Sequence, residues 1–570
     1  MDKPQELPSK LMVLISLVQG LCLLYLHQAI ELHYWPHQQP QWLFALYSLA
    51  FIWPTMLLLG LTPYNTKAIV KFTLPFALLC GLLGYYTGYQ ATPIEHIRFD
   101  AVLLSFVLTM AIATFKALMY RQQCALGERV SYSALFLWSW RNFLTLCLAL
   151  LFAGCFWLIL LLWGALFKAI GINFFHNLFE QHWFHYPALA LANGFGVFIF
   201  RSQTRVIDTI TRLQQALMKF LLVVLVLVSL LFLTALPFTG LTPLWESGGS
   251  SLILCMQALM LFFVNAVYQD EPDNWPYSKW LHRFVYLGVA ALPIYSAISF
   301  YGLSLRVEQY GWSLSRYWAF LIWFLLALFP LGYWWGIAKN RDHWVHQLSK
   351  VNVAIGLVVL GVMLLVNSPL VDFRKMTTAD QLQRLADNTV AVDDFDIYYF
   401  RRHLARPGYE ALQSLKEKYA DTHPNLTVRI NALYADHKQP SSTREEFIAG
   451  IEFLTQNPPE PLLTTLYKKE SKNRWNLQKT RKNYLRAVDA NQDGRLEYLW
   501  IQRRDDWTTT TLFVEEDSNW RALHLQTLWN RKDNADAFYQ TLEDGEVATQ
   551  PSEWNDIVIG ETRFEVWTQE

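Results

Sequence analysis

The most chemically specific stretch of this 570-residue chain is DANQDGRLE, residues 489–497. Asp489, Asn491, Asp493 and Glu497 stand at positions 1, 3, 5 and 9, with Gly494 at the turn and the Arg495 carbonyl between them. Alternating oxygen donors around a tight glycine turn are the ingredients of a calcium loop. An EF-hand would close with a bidentate glutamate at position 12; Trp500 stands there, which excludes that form. The competing reading is a turn whose acidic and Asn side chains cap backbone amides.

A second group is Arg306, Glu308 and Arg316 in YGLSLRVEQYGWSLSRYW, residues 301–318. Two arginines among tyrosines and tryptophans between apolar runs fit an interfacial belt with snorkelling cations. The same arginines could contact an anionic lipid headgroup, a phosphate or an acidic partner. A third group is histidine-rich: His176 and Glu180 at i, i+4, then His182 and His185, in INFFHNLFEQHWFHY. Those side chains suit zinc or another transition metal, or headgroup-level contacts of an interfacial helix.

The elements that position these residues follow from composition. The chain is 53% hydrophobic with no net charge, but residues 1–370 hold 21 Lys+Arg against 14 Asp+Glu, and residues 371–570 hold 26 against 33. An apolar, mildly basic region thus precedes one of ordinary soluble composition. A helix needs about 20 apolar residues to cross a bilayer. On that basis about 11 transmembrane helices are expected in 1–370: 10–29, 42–61, 72–90, 100–120, 143–168, 187–203, 218–239, 249–268, 284–304, 317–337 and 351–370. With Met1 cytoplasmic, the inside segments carry 16 Lys and Arg and the outside links four, and this bias orients the chain N-in. An odd span count then places the C-terminal region outside, although Arg374 and Lys375 run against the bias. No cleavable signal peptide is expected, since the first apolar run lacks a small-residue cleavage site. All six cysteines precede residue 371, without metal-ligand spacing.

The segment Y-G-L-S-L-R-V-E-Q-Y-G-W-S-L-S-R, set in the apolar region 284–337, resembles the bacterial inner-membrane proteins grouped as domain of unknown function 4153. The resemblance spans most of residues 1–370 and the start of the tail. It implies a Gram-negative inner-membrane location and carries no activity with it. The 489–497 loop with its following EYLWI is similar to the calcium loops of β-propeller and repeat adhesion domains; a single copy implies no propeller.

The fold class expected is a membrane all-α bundle (1–370) followed by a soluble α+β C-terminal domain. Within the latter, 371–480 reads as mainly helical, from TTADQLQRLADN, PGYEALQSLKEKYA and the Ser/Thr-capped SSTREEFIAGIEFL. Residues 481–570 read as a small β-rich module, from EYLWIQ, TTTTLFVEE, WRALHLQTL and DIVIGETRFEVWTQ. Asp393, Asp394 and Asp396 read as a solvated face or helix start.

No serine-hydrolase, zinc-protease or S-x-x-K pattern is placed to work, so a non-enzymatic role is expected. No cofactor beyond calcium is suggested. The spans lack buried Asp or Glu, which weakens proton-coupled transport; RVIDTITRLQQALMK (205–219) reads as a basic amphipathic segment on lipid or leading into the next span. With that explanation for the basic face and no glycine-rich phosphate loop, no nucleic acid partner is expected. Two functions remain: an envelope anchor or sensor that binds an envelope protein partner, and a transporter or lipid-handling protein with a regulatory tail. Membrane lipids are partners in either case.

Overall fold

The computed structural model describes residues 8–62, 66–125, 130–246, 249–268, 276–340, 345–434, 443–455, 458–470, 480–504, 508–516, 519–525, 535–544, 557–559 and 562–564. Lys3, Arg129 and Arg341, counted above as cytoplasmic charges, lie outside them, as do residues 526–528 and the ends of the last β-type run. Two compact units result: one of Met1–Gln381 with His403–Pro407, the other of Leu382–Arg402 with Gly408–Glu570.

The first unit is helical because a bilayer leaves no alternative for an open chain: every backbone amide must be satisfied within its own segment. Its helices are α1 (Ser9–Glu31), α2 (Pro40–Gly60), α3 (Thr66–Gln90), α4 (Asp100–Cys124), α5 (Tyr132–Ala169), the short α6 (Phe174–Glu180), α7 (His182–Ser202), α8 (Thr204–Thr239), the short α9 (Thr242–Glu246), α10 (Ser250–Val267), α11 (Lys279–Tyr310), α12 (Leu314–Asn340) and α13 (Val345–Leu365). Among the described residues, ten are long and apolar enough to cross a membrane. Their outward faces carry leucines such as Leu82, Leu104 and Leu150, exposed as lipid contact requires.

The eleventh expected span is α10, 18 residues long. At 1.5 Å per residue this spans about 27 Å, just short of a typical hydrocarbon core. It is not among the ten helices long enough to cross, and it packs along α8 in the opposite direction. Ile253, near its start, packs with Leu230 and Leu233 late in α8, whereas Val264 and Val267 pack with Met218 and Leu222 early in α8. The two helices are therefore antiparallel throughout. The segment 205–219 leads directly into the next span within the single helix α8, and α7 begins five residues before the expected 187.

Neutral polar pairs set the register of the bundle. Tyr120 donates to the Val353 carbonyl (2.7 Å) and Asn367 to Thr109 Oγ1 (2.7 Å), so α4 and α13 run antiparallel. Gln257 donates to Ser296 Oγ at 2.6 Å. Asn265 Oδ1 accepts from Asn352 Nδ2 (2.8 Å) and the Tyr333 hydroxyl (2.7 Å). Arg201 at the end of α7 donates to the Leu58 and Leu61 carbonyls (2.6 and 2.7 Å), capping the end of α2. Leu11 and Ile15, early in α1, pack at that same face with Leu57, Leu61 and Ile69.

The second unit contains a five-stranded sheet in the order β1 (Ile451–Phe453), β2 (Thr480–Val488), β3 (Glu497–Arg504), β4 (Thr508–Glu516), β5 (Asn519–Leu525). β1 pairs parallel with β2; the other neighbours are antiparallel. Period-two alternation gives the sheet two apolar faces. Leu485, Tyr498, Trp500 and Phe513 pack on Phe447, Leu462 and Leu466 of preceding helices. Tyr484 and Ile501 face Tyr539 and Leu542 of the helix Ala535–Asp544. The Ser/Thr cap is a full capping box: Thr443 Oγ1 accepts from the Glu446 amide, and Glu446 accepts from the Thr443 amide. Asp396 Oδ1 accepts from the Tyr399 amide at 2.8 Å, which makes it the start of helix Ile397–His403.

Candidate functional site

The 301–318 segment is built around the end of α11. Gly311, at φ +70°, terminates that helix in the left-handed region, where glycine has no Cβ penalty. Arg316 turns back over this end. Its Nη1 donates to the Gly311 carbonyl (2.7 Å) and Tyr310 carbonyl (3.3 Å), and its guanidinium lies 5.3 Å from the Tyr310 ring centroid. Arg316 thus supplies donors to helix-end carbonyls that would otherwise lack partners. Arg306 and Glu308 are exposed, and no ion pair joins Glu308 to either arginine among the described residues.

The aromatics of this segment hold the start of the next helix (α14, Phe373–Ala386). The Trp312 amide donates to Asp380 Oδ2 at 2.8 Å, and Gln381 Nε2 donates to the Trp312 carbonyl at 2.8 Å. Phe373 stacks on Tyr317 at 5.3 Å and meets Trp318 edge-on at 5.2 Å. Immediately before Phe373, Asp372 is the N-cap: Oδ1 accepts from the Arg374 amide (2.9 Å) and more weakly from Lys375 (3.4 Å). Its Oδ2 accepts from the Tyr86 hydroxyl (2.6 Å) and Gln90 Nε2 (3.0 Å), both in the last turns of α3. Arg374 donates to the Ala101 carbonyl and Ser105 Oγ of α4 (2.8 and 3.2 Å). Desolvation holds its guanidinium below the ordinary arginine range, with Asp372 opposing that shift. Arg406 Nη1 donates to Thr92 Oγ1 (2.8 Å) and stacks 4.0 Å from Tyr89. Arg374 and Lys375, which ran against the orientation bias, are thus engaged with the bundle: Lys375 lies over the Tyr86 ring at 5.6 Å. This face, at the end of α3, lies opposite the face where α1 begins.

The histidines divide. His176 stays with Glu180 (3.5 Å), and His185 stacks on Trp157 of α5 at 4.5 Å. His182 turns away from both toward α1, where its Nε2 lies 3.2 Å from Glu31 Oε1. His27 Nε2 lies 3.2 Å from that same oxygen. Sequence reasoning missed His27 and Glu31, although their i, i+4 spacing at the end of a span is the signal used for His176 and Glu180. Near them, α1, α2, α5 and α7 line a half-open cavity of about 380 Å³, apolar except for Gln19, Thr55, His185, Tyr186 and Asn193. Gln19 is satisfied by the Ala50 carbonyl (3.1 Å), whereas Asn193 Oδ1 is buried without a hydrogen bond.

Residues 21–415 match the family model described as Domain of unknown function (DUF4153). The chain belongs to this family. No curated protein and no solved structure matches it. The DUF4153 match takes in the 301–318 segment, Asp372 and the His27–Glu31–His182 group, and stops short of the sheet and its loop.

That loop, beyond the DUF4153 region, joins β2 to β3. Asp489 accepts from the amides of Asp493 (3.1 Å) and Gly494 (3.0 Å), with Gly494 at φ +83°. Asn491 Oδ1 accepts from the Asp493 amide (3.0 Å), and Glu497 Oε2 from the Ala490 amide (2.7 Å). The Arg495 amide, then the Asn491 side chain, hold the Asp493 carboxyl below the usual carboxylate range. Each carboxylate oxygen accepting one amide keeps a second lone pair, so the loop can still close around a cation. We expect hydrogen exchange of residues 489–497 in the full-length protein to slow several-fold on adding about 1 mM calcium, the affinity range of extracellular modules. Asp493→Ala should remove the effect; identical exchange with and without chelator would leave a hydrogen-bonded turn.

Proposed function

We propose that this DUF4153 protein is a non-enzymatic inner-membrane anchor or sensor. Its bundle holds the first turns of a C-terminal domain on the periplasmic side, where an envelope protein partner binds. The observation that supports this best is the grip on residues 372–381. Buried Asp372, Arg374 and the Trp312–Asp380–Gln381 pairs tie the start of one helix, residues 372–381, to the ends of three spans within the helical unit. Arg306, exposed beside this grip, is the residue we assign to anionic headgroups, with Arg316 and Glu308 shaping the local surface. The charge bias of the links supports the periplasmic side.

A second reading, transport or lipid handling, draws on the cavity and the unpaired Asn193 oxygen. Its volume lies at the small end of the range for ligand pockets, with few polar groups in an apolar wall.

A deletion strain screened for envelope-stress sensitivity separates the two. Wild-type chain should restore resistance, a chain ending after Gln381 should fail, and Asn193→Leu should succeed. Rescue by the truncated chain together with failure of Asn193→Leu would reverse the assignment. A cytoplasmic reporter active after Leu370 would overturn the periplasmic placement.

A further inference from the structure

The end of α1 and the start of α7 bring three metal-ligating side chains to one point. His27 and Glu31 lie one turn apart on one face of α1; His182 opens α7, returned by the short α6. The ligand atoms of His27, Glu31 and His182 all lie within 4.8 Å of one another. Both Nε2···Oε1 separations are 3.2 Å. In a tetrahedral zinc site with ligand bonds of about 2.0 Å, ligand atoms stand about 3.3 Å apart. Each imidazole thus already stands from Glu31 at the separation of two tetrahedral ligands, and the two imidazoles lie within 4.8 Å of each other.

Hydrogen bonding alone accounts poorly for this arrangement. Glu31 could accept from both imidazoles, yet His27 Nε2 is buried and makes no hydrogen bond, despite its 3.2 Å distance from that carboxylate. The ring is positioned but not oriented toward the oxygen. A buried imidazole nitrogen left unsatisfied costs about 1–3 kcal/mol, which a ligand in the ring plane would recover. The three residues are neither sealed nor fully solvated: side-chain exposures are 25% for His27, 45% for Glu31 and 44% for His182. A cation can enter from solvent and retain an open coordination position.

The geometry points to a divalent transition-metal site, zinc by its donor set, held by His27, Glu31 and His182. Two imidazoles and one carboxylate favour zinc and its first-row neighbours over magnesium or calcium, which take oxygen ligands. The ring of Tyr186, which lines the cavity, lies 5.0 Å from that of His27. The site is thus a neighbour of the cavity through Tyr186, and it holds whether or not the chain is an anchor.

The test uses the full-length protein in lipid nanodiscs, stripped with chelator and titrated with zinc by calorimetry and with cobalt by visible absorption. One equivalent should bind, with the intense absorption of tetrahedral cobalt. His27→Ala, His182→Ala and Glu31→Gln should each weaken binding at least tenfold, while His176→Ala should leave it unchanged. Should any of these variants fail to fold, zinc-edge X-ray absorption of the loaded wild type serves instead, with two imidazoles expected in the first shell. Absence of stoichiometric binding, affinity unchanged in both His27→Ala and His182→Ala, or a shell lacking imidazole would overturn the site and leave surface histidines only.

Discussion

Asp372→Ala should destabilise the helical unit by about 3 kcal/mol, the cost of removing one partner from a buried charged network and one helix cap together. Four donors lose their acceptor at once: the Tyr86 hydroxyl, Gln90 Nε2 and the amides of Arg374 and Lys375. Asp372 as a residue is only 6% exposed, so water cannot readily replace its carboxylate. Arg374, also enclosed, loses the carboxylate whose field opposes its desolvation. Asp372→Asn keeps an oxygen for the cap but not the charge, and should cost about half as much. Tyr86→Phe removes the 2.6 Å bond to Asp372, worth about 1.5–3 kcal/mol for a hydrogen bond to a charged group, together with the oxygen that accepts from Gln90 Nε2 at 2.7 Å. Because Tyr86 and Asp372 touch, the double variant should be clearly less destabilised than the sum of the singles. Unfolding midpoints in detergent measure the three costs, and hydrogen exchange of residues 372–381 locates them. If Asp372→Ala unfolds like wild type with unchanged exchange there, the helix is not held by this network.

Much of this arrangement was legible in the sequence, and the rest was hidden for identifiable reasons. Apolar length revealed the spans, because a bilayer allows one solution for such segments. Alternating apolar residues revealed β3, β4 and β5. β2 was missed because TRKNYLRAV carries three cations in a strand whose apolar positions face two different helical layers. β1 was missed because three residues carry no periodicity. In 301–318, the aromatics read as a lipid belt, yet Trp312, Tyr317 and Trp318 touch a helix some sixty residues onward. No local pattern distinguishes a tryptophan facing lipid from one facing protein. Asp372 falls just inside the region of soluble composition, with nothing local to mark it as buried; its burial depends on Tyr86 and Gln90, 286 and 282 residues away. His27 and Glu31 looked like the ordinary end of a first span until α7 brought His182 to them.

Gly88→Ala should be as damaging as the loss of Asp372, through packing instead of charge. In lipid, helices gain little from hiding apolar surface from water, so small residues that let backbones approach carry association. Gly84 and Gly88 in GYYTG form such a pair on α3 facing α2. A Cβ on Gly88 would lie 2.3 Å from the Pro40 carbonyl oxygen and 2.6 Å from the Gln41 Cα; one on Gly84 would lie 2.9 Å from the Phe44 carbonyl oxygen. These obstacles are backbone, which no rotamer change removes, so α2 must move away from α3. Overpacking of this kind costs about 1–3 kcal/mol and more where the neighbour cannot yield. The displaced turn also carries Tyr86 and Gln90, so exchange of residues 372–381 should rise in Gly88→Ala although no contact of Asp372 is altered chemically. Gly154 and Gly361 provide the control, since a Cβ at either meets nothing within 4 Å. Alanine there should leave the unfolding midpoint unchanged or raise it, by up to about 1 kcal/mol from helix propensity. Equal behaviour of Gly88→Ala and Gly154→Ala would mean that α2 and α3 do not meet backbone to backbone, and the positioning of Tyr86 and Gln90 beneath Asp372 would need another cause.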